Sequence, residues 1–267
     1  MLGRRGRRTV LAAGVAGAVA IMPSVPAAAS VSAAGSVSAR ADVVRDSQQW
    51  VLNMLDVPTA WSLTQDNPGK GVTVAVIDSG VDGSISDLAG SVLPTGSDLT
   101  GLDTKPTNAH WGEHGTWMAS IIAGHGHPVG STDGITGIAP KAKILSIRVI
   151  PDRGDPNYRT YDKEPEQSIQ QSLAKGIREA VDGGARVISM SIGYSAPSGV
   201  VRAALQYAAQ HGAVLIASSG NSGHNDQHRD HGLAPVSFPA EYPGVLSVGA
   251  VGPNGKAAGF SCYNLSV

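Results

Sequence analysis

From Val72 onward the chain alternates between two hydrophobic periods. Apolar, largely β-branched runs at Val72 to Ile77, Lys143 to Val149, Arg186 to Ile192, Ala213 to Ala217 and Val245 to Val251 predict strands. Short continuous apolar stretches bounded by turn residues suit strands buried on both faces. Between them the period lengthens. Over Glu166 to Gly183, Ile169, Leu173, Ile177 and Val181 recur every fourth residue and stop at Gly183-Gly184, which predicts an amphipathic helix closed by glycine. A second helix is predicted over Gly199 to Gln210, with Val201, Leu205 and Ala208 on one face and Gly212 beyond its end. Strand, helix, strand repetition predicts an α/β fold of three layers, a mostly parallel sheet with helices on both faces. Such sheets place their sites at the C-terminal ends of strands.

The N-terminal stretch follows a different pattern. Arg4, Arg5, Arg7 and Arg8 form a basic head, Val10 to Met22 an apolar run too short to span a bilayer, and Ala27-Ala28-Ala29 a small-residue cleavage site. Residues 1–29 are therefore expected to be a signal peptide that sends the protein to the cell surface or beyond. Arg7-Arg8-Thr9-Val10-Leu11 resembles a twin-arginine signal, with Val10 where that signal usually has Phe, so the export route stays open. Residues 30–47 read as a linker or short pro-segment, and the folded domain is expected over residues 48–267.

Composition narrows the partners. The 267 residues leave room, once the leader is set aside, for one domain with a sizeable core. With 20 Lys and Arg against 21 Asp and Glu, no global charge attracts nucleic acid or an acidic membrane, and a monomer is expected. Cys262 is the only cysteine, so an internal disulfide is impossible. Nothing near it in sequence suggests an activated thiol, and a buried position is expected.

Three short segments carry chemistry. Asp78 follows the apolar run Val72 to Ile77 and precedes a turn at Gly80; a carboxylate there is costly unless paired. It reads equally as a turn residue, or as a phosphate acceptor at a strand end. His114, in Gly112-Glu113-His114-Gly115-Thr116, precedes a short apolar helix ending at Gly124. The positive end of that helix is expected to resist protonation and keep the imidazole neutral, although a surface histidine near a cap fits as well. Asn221 follows the strand at Ala213 to Ala217 within Ser219-Gly220-Asn221-Ser222-Gly223, where it is either an amide donor to an oxyanion or a residue in a left-handed turn.

Taken together, Val76-Ile77-Asp78-Ser79-Gly80, His114-Gly115-Thr116 and Ser219-Gly220-Asn221-Ser222-Gly223 resemble the subtilisin-like serine proteases. Gly137-Ile138-Ala139-Pro140 and Ser189-Met190-Ser191-Ile192-Gly193 are further family-like segments. Gln49-Trp50 leading to Ala60-Trp61 resembles the mycosin-type actinobacterial branch. The resemblance implies that Asp78 orients His114, that His114 moves the proton of a serine nucleophile, and that Asn221 stabilises the oxyanion. Ser191, Ile192 and Gly193 match the segment that pairs with an extended polypeptide substrate.

The sequence departs from the family at one place. The nucleophile's Gly-Thr-Ser-x-Ala segment is absent, since Gly115-Thr116 is the only Gly-Thr and leads into Trp117. The catalytic domain is thus expected to be incomplete at its C-terminus and the 267-residue chain inactive, with any membrane anchor in the missing part. Ser222 is unsuited to the role, because it adjoins the oxyanion donor. A catalytically inactive, peptide-binding relative is the alternative. A nucleotide-binding α/β protein is disfavoured, because no glycine-rich phosphate loop follows a strand. His224, Asp226, His228, Asp230 and His231 crowd a polar loop rather than converging at metal-ligand spacing, and no metal or other cofactor is assigned. Asp87 matches a family position that sometimes binds calcium, but the loop from His125 to Asp133 does not match.

Overall fold

The computed structural model describes residues 43–127, 133–221, 223 and 236–262. The expected signal peptide, most of the linker, Ser222 and the His224 to His231 cluster lie outside the described residues. Six strands form one sheet: β1 (Thr73–Asp78), β2 (Ser97–Asp98), β3 (Lys143–Arg148), β4 (Val187–Met190), β5 (Val214–Ser218) and β6 (Val245–Val248). They lie in the order β2-β3-β1-β4-β5-β6, and every pairing is parallel. Each strand falls within or one residue beyond the apolar run that predicted it, except β2. That strand is two polar residues held by pairing with Ile147 and Arg148.

Helices α1 (Val43–Met54), α2 (Val57–Leu63), α3 (Glu113–Ala123), α4 (Tyr158–Tyr161), α5 (Glu166–Asp182) and α6 (Gly199–Gln210), with a short 3-10 helix at Ser86–Leu88, complete the described elements. The alternation of β1 sorts them into layers. Ala75 and Ile77 join Leu173 and Ile177 of α5 and Val201 and Leu205 of α6 in one buried cluster. Val74 and Val76 join Ala119 and Ala123 of α3 in another. The sheet is therefore the middle layer, as the sequence pattern predicts.

The described residues begin with α1 at Val43, ahead of Gln48. Arg45 Nε donates to the Gly134 carbonyl at 2.9 Å, and the Gln48 side chain both donates to and accepts from the Thr136 backbone at 2.6 and 2.8 Å. Trp61 of α2 donates to the Ile138 carbonyl at 2.8 Å. These polar contacts hold the N-terminal helices to the loop beyond α3. Leu52 of α1 and Val57 of α2 are buried as well.

The connection leaving β1 runs toward β2 on one side of the sheet, and the connection leaving its neighbour β4 runs toward β5 on the other. The C-terminal end of β1 is thus the topological switch point, where open parallel sheets form ligand crevices. Asp78 is its last residue.

Among the described residues, one face of the β5–β6 edge is exposed. Leu246 is 58% exposed, Val248 53% and Val214 45%, whereas Leu215 and Ala217 on the opposite face are buried. Exposed apolar surface of this kind favours association. Replacing Leu246 and Val248 together by Lys is expected to change folding stability by less than about 0.5 kcal/mol per residue. Leu215→Ala is expected to cost about 2–5 kcal/mol. Urea denaturation of the two variants measures the contrast.

Candidate active site

Asp78 is wholly buried at the end of β1. Its Oδ1 accepts the Ser79 N–H at 2.7 Å and lies 2.8 Å from His114 Nδ1, while Oδ2 makes no hydrogen bond among the described residues. His114 stands in the first turn of α3 with its side chain 40% exposed. One ring nitrogen is thus tied to a buried carboxylate, and the ring reaches solvent.

Two glycines permit this approach. A Cβ on Gly115 would lie 2.1 Å from the Gly80 carbonyl oxygen and 3.2 Å from Asp78 Cβ. Gly80 itself has φ +103° and packs against the Trp111 ring. The Gly115 N–H then donates to Ser79 Oγ at 3.0 Å. The start of α3 therefore rests directly on the turn that follows Asp78.

The His114 pKa is raised. The hydrogen bond to Asp78 is the largest cause, opposed by burial and reinforced by the charges of Asp78 and Asp152. This corrects the expectation that the helix dipole would hold the imidazole neutral. A half-charge spread over a helix terminus is outweighed here by a directly hydrogen-bonded carboxylate. The same terminus is also occupied by Asp152, whose Oδ2 and Oδ1 accept the backbone N–H groups of Glu113 and His114 at 2.7 and 3.0 Å.

Beneath the turn lies a buried cation that the sequence reading missed. Arg148 is fully buried and sits beside Asp78 in the parallel register. Its Nε donates to the Ser79 carbonyl at 3.1 Å, Nη1 to Asp98 at 2.6 Å and Nη2 to the buried Asp155 at 2.7 Å. Its guanidinium also lies 5.6 Å from the Trp111 ring centroid, within cation–π range. The available signal was a charge inside the apolar run Ile147-Arg148-Val149, which is tolerable only with buried partners.

The remaining site residues line two adjoining clefts. Ser191, Ile192 and Gly193, just past β4, share a cleft of about 660 Å³ with His114, Trp117 and Asp152. Ser191 and Gly193 also border a second, of about 400 Å³, with Asn221, Ser237 and Cys262. Asn221 is exposed past the end of β5. Among the described non-glycine residues only Asp56, Gln65 and Asp66 have positive φ, and the left-handed position is taken by Gly220. The left-handed-turn reading of Asn221 therefore does not apply. Cys262 is buried.

Among the described residues no group of three or more His, Cys, Asp and Glu could hold a metal ion. Both Asp87 oxygens are engaged, Oδ1 with His127 Nδ1 at 2.8 Å and Oδ2 with the Ile135 N–H at 3.2 Å.

The structure thus places a hydrogen-bonded Asp78–His114 pair at the switch point of a parallel sheet, beside an open cleft on an α/β scaffold. The Subtilase family profile matches residues 69–267, and the chain belongs to that family. It is 32% identical over 217 residues to thermitase of Thermoactinomyces vulgaris, covering 81% of this chain and 67% of that protein. It is 30% identical over 198 residues to subtilisin E of Bacillus subtilis, covering 74% and 45%. Among solved structures it is similar to MycP1 from Mycobacterium smegmatis, with a TM-score of 0.60, 31% identity and coverage of 80% of this chain and 59% of that one. The chain thus spans between about half and two thirds of the length of these relatives.

Two outcomes follow from the geometry. Arg148→Met leaves Asp155 buried without its partner and is expected to cost about 3–5 kcal/mol of stability by chemical denaturation. The raised His114 pKa stabilises the folded state fully below its ordinary value of 6.5 and stops doing so as pH rises through the folded-state value. The stability lost in His114→Ala is therefore expected to be larger at about pH 6 than at about pH 9, and equal losses at both would contradict the linkage.

Proposed function

We propose that this chain carries the acid, the base and the oxyanion donor of an exported serine endopeptidase, whose nucleophilic serine lies outside the described residues. The observation that carries this reading is the 2.8 Å contact between buried Asp78 Oδ1 and His114 Nδ1. With Nδ1–H held by the carboxylate, Nε2 is the nitrogen left to accept a proton.

The reaction is an acyl transfer in two halves. His114 Nε2 takes the serine hydroxyl proton as the oxygen attacks the peptide carbonyl, then gives that proton to the departing amine. Water repeats the sequence on the acyl-enzyme, with His114 again the base. Asp78 stays ionised and stabilises the imidazolium formed in each half. The Asn221 side-chain amide donates to the tetrahedral oxyanion, and the backbone of Ser191, Ile192 and Gly193 pairs with an extended polypeptide substrate. The raised His114 pKa suits a base working near neutrality, because a stronger base accepts the proton more readily.

The serine is proposed to arrive on a segment that covers the exposed face of β5 and β6, which borders the strand leading to Asn221. Export through residues 1–29 would deliver the enzyme as a monomer to the cell surface or medium. No described helix is long and apolar enough to cross a membrane.

The test begins with the reading frame beyond Val267, where a Gly-Thr-Ser-x-Ala segment is expected. An open frame without it overturns the enzyme reading in favour of a peptide-binding relative. The chain extended through that segment is expected to react with a fluorophosphonate, while the 267-residue chain does not. In the extended enzyme, Asn221→Ala is expected to lower kcat by roughly 10²- to 10³-fold, the loss already known for the corresponding subtilisin residue.

A further inference from the structure

We infer that Asp152 is a positioning residue for His114: it clamps the first turn of α3 to the end of β3 and so seats the imidazole on Asp78. The inference rests on the proposed role of His114 as base.

Helix α3 has no cap of its own. Its N-cap residue is Gly112, which has no side chain and lies in the left-handed region at φ +74°. The first backbone N–H groups of a helix need acceptors, and those of Glu113 and His114 find both oxygens of one carboxylate, 39 and 38 residues away in sequence. Charge-assisted bonds of this kind are shorter and stronger than neutral ones.

The position of Asp152 is set by the strand before it. β3 runs in register with β1, Asp78 opposite Arg148, and the Val149 N–H donates to the Asp78 carbonyl at 2.9 Å. Three residues on, Asp152 reaches α3. A closed circuit results. Asp78 holds the His114 ring through its side chain, the His114 backbone is held by Asp152, and the segment leading to Asp152 is pinned to the Asp78 backbone. A sideways movement of α3 must break one of these bonds.

Two charged groups act on His114, Asp78 at the end of β1 and Asp152 after β3, and both raise its pKa. Glu113 of α3 and Arg153 beside Asp152 line the same cleft as His114. Asp152 therefore acts twice: its oxygens fix the turn and its charge favours the imidazolium.

Imidazole NMR titration and amide hydrogen exchange of the 267-residue chain test this without catalysis. Asp152→Asn keeps the shape of the side chain but removes its charge and one of its two acceptors. It is expected to lower the His114 pKa and to reduce amide protection at Glu113 and His114 by about fivefold, the usual worth of a lost helix cap. Unchanged values in both readouts overturn the inference. Asp78→Asn probes the dyad separately. A His114 pKa left unmoved by that change would overturn the proposed function, whereas a drop there with no effect in Asp152→Asn sinks only the role of Asp152. Should Asp152→Asn fail to fold, the wild-type chain still decides. The Glu113 and His114 amide shifts must follow the titration of the Asp152 carboxylate, and amides indifferent to it refute the clamp.

Discussion

The desolvation of the Asp78 carboxylate is the constraint on which the surrounding structure depends. A negative charge taken out of water at the end of a central parallel strand costs several kcal/mol unless nearby donors replace its hydration. The Ser79 N–H supplies one donor and the imidazole the second, and both converge on the same oxygen. The imidazole can arrive only if its helix approaches the turn after β1 at backbone distance. Gly112 and Gly115 allow it, and any side chain at Gly115 would occupy the space of the Gly80 carbonyl oxygen.

Arg148 extends the same electrostatic arrangement below the site. It stands next to Asp78 in the sheet, yet its guanidinium is committed to Asp98, Asp155 and the Ser79 carbonyl rather than to the Asp78 carboxylate. That division has a chemical consequence. A guanidinium paired directly with Asp78 would compete with the imidazolium for the carboxylate. Satisfied instead by two other carboxylates, Arg148 fixes the turn that carries Asp78 while leaving the acid to act on His114.

How much of this was legible in the sequence depended on where each stabilising contact lies. Strands β1 and β3 announced themselves because burial on both faces demands uninterrupted apolar runs, and β4, β5 and β6 were legible from β-branched apolar residues although at most one face of each is well covered. Helix α5 ended where Gly183 and Gly184 predicted. By contrast β2 consists of Ser97 and Asp98, whose extended state depends on a neighbouring strand, and the polar contacts of Arg45 and Gln48 that fasten α1 reach residues 89 and 88 positions away. Asp78, His114 and Asn221 were readable as types of residue at strand and helix ends. The sign of the His114 pKa shift was not, because it depends on carboxylates 36 and 38 residues distant.

Sheet order explains why the site's parts follow one another as they do. β1, β4 and β5 are consecutive neighbours, and parallel strands lie about 4.8 Å apart. Their C-terminal ends deliver Asp78, then Ser191 to Gly193, then Asn221, so acid and amide are separated across the sheet by roughly 10 Å. Under the proposed function, a scissile peptide lying along the Ser191 to Gly193 segment would have the imidazole on one side and the Asn221 amide on the other. His114 spans the remaining interval because it is not on a strand at all. His114 reaches over the end of β1 from a helix, and its reach is set by the glycines beneath it and the carboxylates on either side. A site assembled this way places its reactive groups through strand spacing, which side-chain substitutions change little. Its electrostatics rest on a few side chains, which single substitutions can alter.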